Sequence, residues 1–220
     1  MGLVHPGVPK ELTLAIKRLV GAQAFVETGT AGGDSAAWAA QQFERVVSIE
    51  LDPALHRMAA DRLRRHANVE LRLGASEAVL PSVLAELPAP AIVWLDAHWS
   101  GPGSGGEAKE CPVLEEIAAV DAAGTDHVIM IDDARLFLNV PGAPLHAEHW
   151  PSFEQISATL RRRAERSYLL VHDDVIFRIP QQFRGPVELY LLGLNTPSLL
   201  RRAFGRGRAL LRRLLPAKTN

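Results

Sequence analysis

The sequence predicts an α/β protein with a doubly wound, mostly parallel seven-stranded sheet and an antiparallel edge strand. Three observations lead there. Short apolar runs alternate with longer helical stretches along most of the chain. The runs 91–96 (AIVWLD) and 127–133 (HVIMIDD) are apolar almost throughout, as strands covered on both faces are. The length, 220 residues, fills one well-buried domain and is too short for two ordinary ones.

Each element has its own signal. Residues 24–27 form a short strand that ends in a Gly-rich turn, and 34–43 an Ala-rich helix. The β-branched run 45–50 is a second strand, followed by a helix over 53–66 with Pro53 in its first turn. Residues 69–73 alternate as a strand, and 76–87 form a helix that Pro81 should interrupt. The strand 91–96, the helix 112–122 and the strand 127–133 follow. Ser152 and Gln155 fit a capping box at the start of a helix over 152–166. Residues 168–171 and 175–179 are adjacent strands joined tightly at Asp173-Asp174, which predicts the antiparallel pair. Two stretches are loops, the Gly-rich 100–110 and the Pro-containing 138–151.

A formal net charge of −1 gives no overall field favouring nucleic acid. One cysteine, Cys111, excludes an intrachain disulfide and a Cys-based zinc cluster, and points to a reducing cytoplasm. Residues 1–10 hold no apolar signal core, and no apolar run is long enough to span a bilayer.

Ligands of doubly wound sheets bind outside the carboxyl ends of the strands, so polar residues just past each strand are the site candidates. After strand one stands Glu27-Thr28-Gly29-Thr30-Ala31-Gly32-Gly33. Its glycines permit a sharp turn and close backbone approach. It fails the dinucleotide pattern G-x-G-x-x-G, because Ala31 and Asp34 fall where glycines are required. A carboxylate two residues before the first glycine is wrong for a pyrophosphate and right for a ligand bearing a cationic amine. Glu50 ends strand two, about 20 residues further on, where a carboxylate can accept both hydroxyls of a ribose. Ser76, after strand three, can meet an adenine edge or cap a helix. Asp96 ends one apolar strand and Asp132-Asp133 the next. Unpaired desolvated carboxylates are costly, so these three call for a partner: a hard cation such as Mg²⁺, or Arg135. His98 is a candidate general base or extra metal ligand. His146, His149 and Trp150 either line an acceptor pocket or belong to a surface loop, and Lys109 is expected to be solvated.

Over residues 22–180 these motifs resemble the Rossmann-like class I S-adenosylmethionine (SAM) dependent methyltransferases, and within them the metal-dependent O-methyltransferases. Glu27 to Gly33 is similar to the SAM loop of the macrocin-type sugar enzymes. Leu95-Asp96-Ala97-His98-Trp99 and Ile131-Asp132-Asp133 are similar to the metal-binding strand ends of the macrocin-type and catechol-type enzymes. The resemblance implies SAM held by Glu27, Gly29, Thr30, Gly32, Gly33, Glu50, Ser76 and Asp96. It implies a divalent cation at Asp96, Asp132 and Asp133, and a small-molecule or glycan hydroxyl as acceptor. Two departures stand out: the Gly-rich insert between Asp96 and Asp132 looks longer than in catechol-type enzymes, and no lysine follows Asp96 closely, where His98 and Trp99 stand. The competing readings are an NAD(P)-dependent oxidoreductase, which the glycine pattern opposes, and a non-catalytic scaffold of the same fold, which the five carboxylates oppose.

The domain is expected to span 1–188, with a basic tail over 189–220. Beyond Glu188 there is no acidic residue, while Arg201, Arg202, Arg206, Arg208, Arg212, Arg213 and Lys218 are basic. From Thr196-Pro197 onward leucines fall on one helical face and arginines on the other. Such a helix suits either peripheral contact with the anionic inner membrane surface or docking on the domain or on a second subunit of a homodimer.

Overall fold

A computed structural model describes residues 7–87, 90–99, 101 and 104–195. Seven strands are present: β1 Ala24–Thr28, β2 Arg45–Glu50, β3 Val69–Leu73, β4 Ala91–Leu95, β5 Val128–Ile131, β6 Ser167–His172 and β7 Val175–Pro180. The helices are α1 Lys10–Val20, α2 Asp34–Ala39, α3 Pro53–Leu63, α4 Ser76–Ala85, α5 Val113–Ala122, α6 Ala134–Leu138, α7 Phe153–Leu160 and α8 Arg184–Asn195. The strands form one sheet in the order β3-β2-β1-β4-β5-β7-β6. The first five are parallel; β7 runs antiparallel to both β5 and β6.

The central strands are apolar on both faces because both are covered. In β4, Ala91, Val93 and Leu95 join one core cluster and Ile92 and Trp94 the other. The first cluster packs under α4, α5 and α7 through Leu80, Val83, Ile117, Val120, Ile156 and Leu160. The second packs under α1, α2, α3 and α8 through Leu12, Ile16, Ala36, Ala39, Leu63 and Val187. This is a three-layer sandwich, as the doubly wound reading requires. The chain leaves β1 toward β2 on one side, and β4 leads to β5 on the other, so the strand order reverses between β1 and β4. At that point the loops diverge and open a crevice at the carboxyl ends.

Several elements differ from their sequence signals for physical reasons. Helix α4 passes through Pro81 intact, because Leu80, Val83 and Leu84 are buried against the sheet and outweigh one lost backbone bond. Helix α2 stops at Ala39, short of residue 43, and its last turn tightens into bonds from Gln41 and Gln42 to Trp38 and Ala39. The helix predicted over 152–166 is α7 followed by a 3₁₀ stretch, Arg161–Arg166; its capping box forms as expected, with Gln155 N on Ser152 Oγ and Ser152 N on Gln155 Oε1. Asp173 and Asp174 both adopt positive φ, 48° and 63°, and make the tight β6–β7 hairpin. Helices α1, α6 and α8 have no counterpart in the sequence reading. Helix α8 crosses residue 188, where that reading ends the domain, and brings Tyr190 and Leu191 onto the core. The amphipathic helix expected from Thr196 lies outside the described residues, among which no helix is long and apolar enough to cross a membrane.

Candidate functional site

The crevice holds a cavity of about 450 Å³. Its walls come from the ends of β1, β2, β3 and β4 and from the Gly-rich insert, through Ser104, Gly105 and Gly106.

Gly29 sets the distance between β1 and β4. Its N–H continues the ladder to the Ile49 carbonyl at 2.9 Å, and its φ of +80° is left-handed. A Cβ there would lie 2.2 Å from the Asp96 carbonyl oxygen, so only glycine permits this approach. Behind it runs a buried hydroxyl chain. Ser48 Oγ donates to Glu27 Oε1 at 2.5 Å, which leaves Thr30 Oγ1 to donate to Ser48 at 2.5 Å. Glu27 is fully buried, and the hydroxyls of Ser35 and Ser48 both favour its charged form. Burial, reinforced by the nearby charge of Glu50, pushes its carboxyl up to about 7.

Glu50 is tied to two backbone donors, Ala31 N on Oε2 at 2.8 Å and Asp52 N on Oε1 at 2.9 Å. Each oxygen keeps a further lone pair, and the side chain lines the cavity. Leu51 and Leu55 add an apolar wall beside it. Asp52 caps α3 through Ala54 N and Leu55 N. Ser76 is the first helical residue of α4. Ala75 holds the capping position, so Ser76 caps nothing; its buried hydroxyl lies beside the Glu77 and Glu116 carboxyls and favours their charged forms.

At the other end stand Asp96, His98, Asp132 and Asp133. His98 Nε2 lies 3.0 Å from Asp133 Oδ2, and Nδ1 lies 3.6 Å from Asp96 Oδ1. Arg135 Nη1 donates to Asp133 Oδ1 at 2.6 Å and also pairs with Asp174. Asp133 sits at φ +56° and donates its own N–H to Asp132 Oδ1 at 2.8 Å. Burial and the neighbouring acids push Asp96 up to about 8 and Asp132 up to about 6. Burial also opposes charge on Asp133, but His98 and Arg135 outweigh it and hold that carboxyl below its ordinary value. Burial likewise disfavours the imidazolium of His98, yet Asp133 and Asp96 outweigh it and raise its pKa.

The structure thus divides the predicted residues. Gly29, Glu50, Ser76, Asp96, His98 and Asp133 line one cavity. Glu27 and Thr30 stand behind it in the hydroxyl chain. Gly33 starts α2 against Leu63, and Gly32 accepts from Arg62 at 2.8 Å. Asp132 is buried beside Asp133. Asp96 and Asp133 flank His98, and Asp132 stands behind Asp133. Among the described residues, Glu110, His146 and His149 are the group whose ligand atoms all lie within 4.8 Å of one another. Trp150 packs on His98 with ring centroids 5.4 Å apart, while His149 and Trp150 line a second cavity of about 310 Å³ that shares Ala108 and Lys109 with the first. Lys109 is paired with Glu77 and Glu115 rather than merely solvated. The sequence reading passes over Glu110, fully buried, and Glu116, buried on α5 and pushed by burial up to about 7. Only their burial in the folded chain marks them, and the sequence alone does not show that.

No family model and no curated protein matches the chain in sequence. Solved structures match its fold. A protein assigned as a caffeoyl-CoA O-methyltransferase from Staphylococcus aureus superposes with a TM-score of 0.56 at 13% identity, over 80% of this chain and 86% of that one. The fold is that of the class I SAM-dependent methyltransferases. A methyltransferase from Podospora anserina, solved with S-adenosylhomocysteine, gives 0.53 at 16% identity over 80% of each chain. An O-methyltransferase from Bacillus cereus, also with S-adenosylhomocysteine, gives 0.50 at 18% identity over 80% and 83%.

Proposed function

We propose that the chain is a SAM-dependent methyltransferase acting on a hydroxyl of a small-molecule or glycan acceptor. One observation carries this reading: acids from β2 and β4 face a single cavity across a glycine that nothing else can replace. Glu50, anchored by two backbone donors, presents its free lone pairs as a ribose acceptor. Ser76, which lines the same cavity, meets the adenine side. Asp96, beside Glu27, suits the cationic amino-acid end. SAM supplies an electrophilic methyl group.

At the transfer end His98 is the group able to take a proton. Its Nε2–H donates to Asp133, a tautomer assigned from the network, which leaves the lone pair on Nδ1 toward Asp96. The chain otherwise acts by positioning and by excluding water. A divalent cation is the finer part of the proposal. Asp96 and Asp132 keep oxygens without a cationic partner within hydrogen-bond distance, so they fit a hard ion, whereas Asp133 is committed to His98 and Arg135. Bound there, such an ion would polarise an acceptor hydroxyl.

Two measurements test these statements. Glu50→Ala should weaken SAM binding in calorimetry by about 1.5–3 kcal/mol, the worth of hydrogen bonds to a charged group. Unchanged affinity in a folded variant removes Glu50 from the site, and binding of NADH in place of SAM rejects the whole reading. Exhaustive chelation with EDTA should abolish turnover, with Mg²⁺ or Mn²⁺ restoring it. Full activity after chelation would leave His98 as the sole activating group.

A further inference from the structure

Glu110 closes the Gly-rich insert, and its side chain is fully buried. Its two oxygens have separate tasks. Oε2 accepts two hydrogen bonds, from Trp150 Nε1 at 2.7 Å and His146 N at 2.9 Å. Oε1 faces two imidazoles, with His146 Nδ1 at 2.5 Å and His149 Nδ1 at 3.8 Å. His146 precedes and His149 ends one 3₁₀ turn, Ala147–His149, closed by His149 N on the His146 carbonyl at 2.9 Å. Side chains three apart on such a turn eclipse one another. Both rings therefore rise on one side, with centroids 5.5 Å apart, and the three ligand atoms fall within 4.8 Å of one another.

We propose that Glu110, His146 and His149 bind a zinc-class divalent cation, at a site separate from the strand-end cavity. A simple ion pair needs one imidazole. Here a second one is aimed at the same oxygen, at a distance too long for a hydrogen bond. The carboxylate is also oriented as metal-binding carboxylates are, one oxygen pinned by N–H donors and the other turned to the ligand point. Two nitrogens and one oxygen suit Zn²⁺, while Mg²⁺ and Ca²⁺ prefer oxygen throughout. His146 and His149 are 54% and 37% exposed, so water can reach the ion and complete its coordination. A bound ion would tie the insert at residue 110 to the loop at 146–149. Trp150, which donates to Glu110 and packs on His98, would pass that tie to the transfer end of the cavity. The site does not depend on the methyltransferase reading.

The test is Zn²⁺ titration of the EDTA-stripped full-length protein by calorimetry, with Co²⁺ absorption as a spectroscopic check. Wild type should take up one strongly bound Zn²⁺ per chain, and Co²⁺ should give the visible bands of a four-coordinate nitrogen–oxygen site. Trp150→Phe, which removes the orienting hydrogen bond along with part of the ring packing on His98 and Phe137, should weaken Zn²⁺ about ten- to hundredfold. His149→Ala should weaken it more, and His146→Ala with His149→Ala should abolish it. Asp132→Asn should leave this binding unchanged, which separates it from a cation at the aspartates. The proposal is wrong if wild type binds no Zn²⁺, or if the double variant binds it as wild type does. Should the double variant lose its circular dichroism signature, His149→Ala decides, because the His149 ring is 37% exposed and makes no hydrogen bond among the described residues.

Discussion

Replacing His98 by alanine should lower kcat about 10²–10⁴-fold, the contribution of a positioned general base, while leaving SAM affinity close to that of wild type. The expectation follows from where the ring sits. Asp133 fixes it from Nε2, Trp150 packs against it at a tilt, and Nδ1 opens toward Asp96 in the cavity. The pH dependence adds a second readout. A base must be neutral to act, and the pKa of His98 is raised by Asp133 and Asp96 against the effect of burial. Activity should therefore rise with pH along a limb centred above the ordinary histidine value of about 6.5. Asp133→Asn removes the strongest stabiliser of the imidazolium, so it should move that limb to lower pH. His98→Ala should abolish the limb altogether. A His98→Ala enzyme with the wild-type pH profile would show that another group takes the proton.

The sheet was readable because its signal is local. Continuous apolar runs at 91–96 and 127–133 become β4 and β5, and Asp173-Asp174 becomes the hairpin. Helix α1 also carried a signal, Leu12 and Ile16 four apart and then Leu19 and Val20 before Gly21, which adopts φ +71° as its terminator. Helix α6 has only five residues and is held by Asp174, which accepts Arg135 N at 2.8 Å from across the sheet. No window of sequence contains that contact. The site divides in the same way. Glu50, Asp96 and His98 are found by counting from strand ends, since the doubly wound fold brings strand ends together. That Thr30 serves Ser48 rather than the cavity, and that Asp133 is already held by Arg135, depends on side-chain directions in three dimensions. Glu110, His146 and His149 meet through two loops about 36 residues apart, and loop conformation is the least local of these properties.

Gly29→Ala should cost about 2–5 kcal/mol of stability. About 1–2 kcal/mol of that is the left-handed backbone imposed on an L-residue, and about 1–3 kcal/mol is overpacking. At this chain length each kcal/mol shifts Tm by about 2–4 °C, so the loss is easily measured. Two other glycines separate the contributions. Gly21 has φ +71° with nothing within 4 Å of where a methyl group would stand, so Gly21→Ala should show the backbone cost alone. Gly33, at φ +74°, would place its methyl 3.1 Å from Leu63 Cδ1, a side chain able to yield, so Gly33→Ala should fall slightly below that in stability. At Gly29 the obstacle is the Asp96 carbonyl at 2.2 Å, and backbone in the centre of a parallel sheet cannot move aside without parting β1 from β4. Urea denaturation of the three variants should rank them Gly21, Gly33, Gly29 in order of increasing loss. The Gly29 variant should also lose SAM binding, since the β1–β4 approach shapes the cavity floor. Equal losses at Gly29 and Gly21 would mean that the strand ends are free to spread, and that the close approach at residue 29 is not what defines the site.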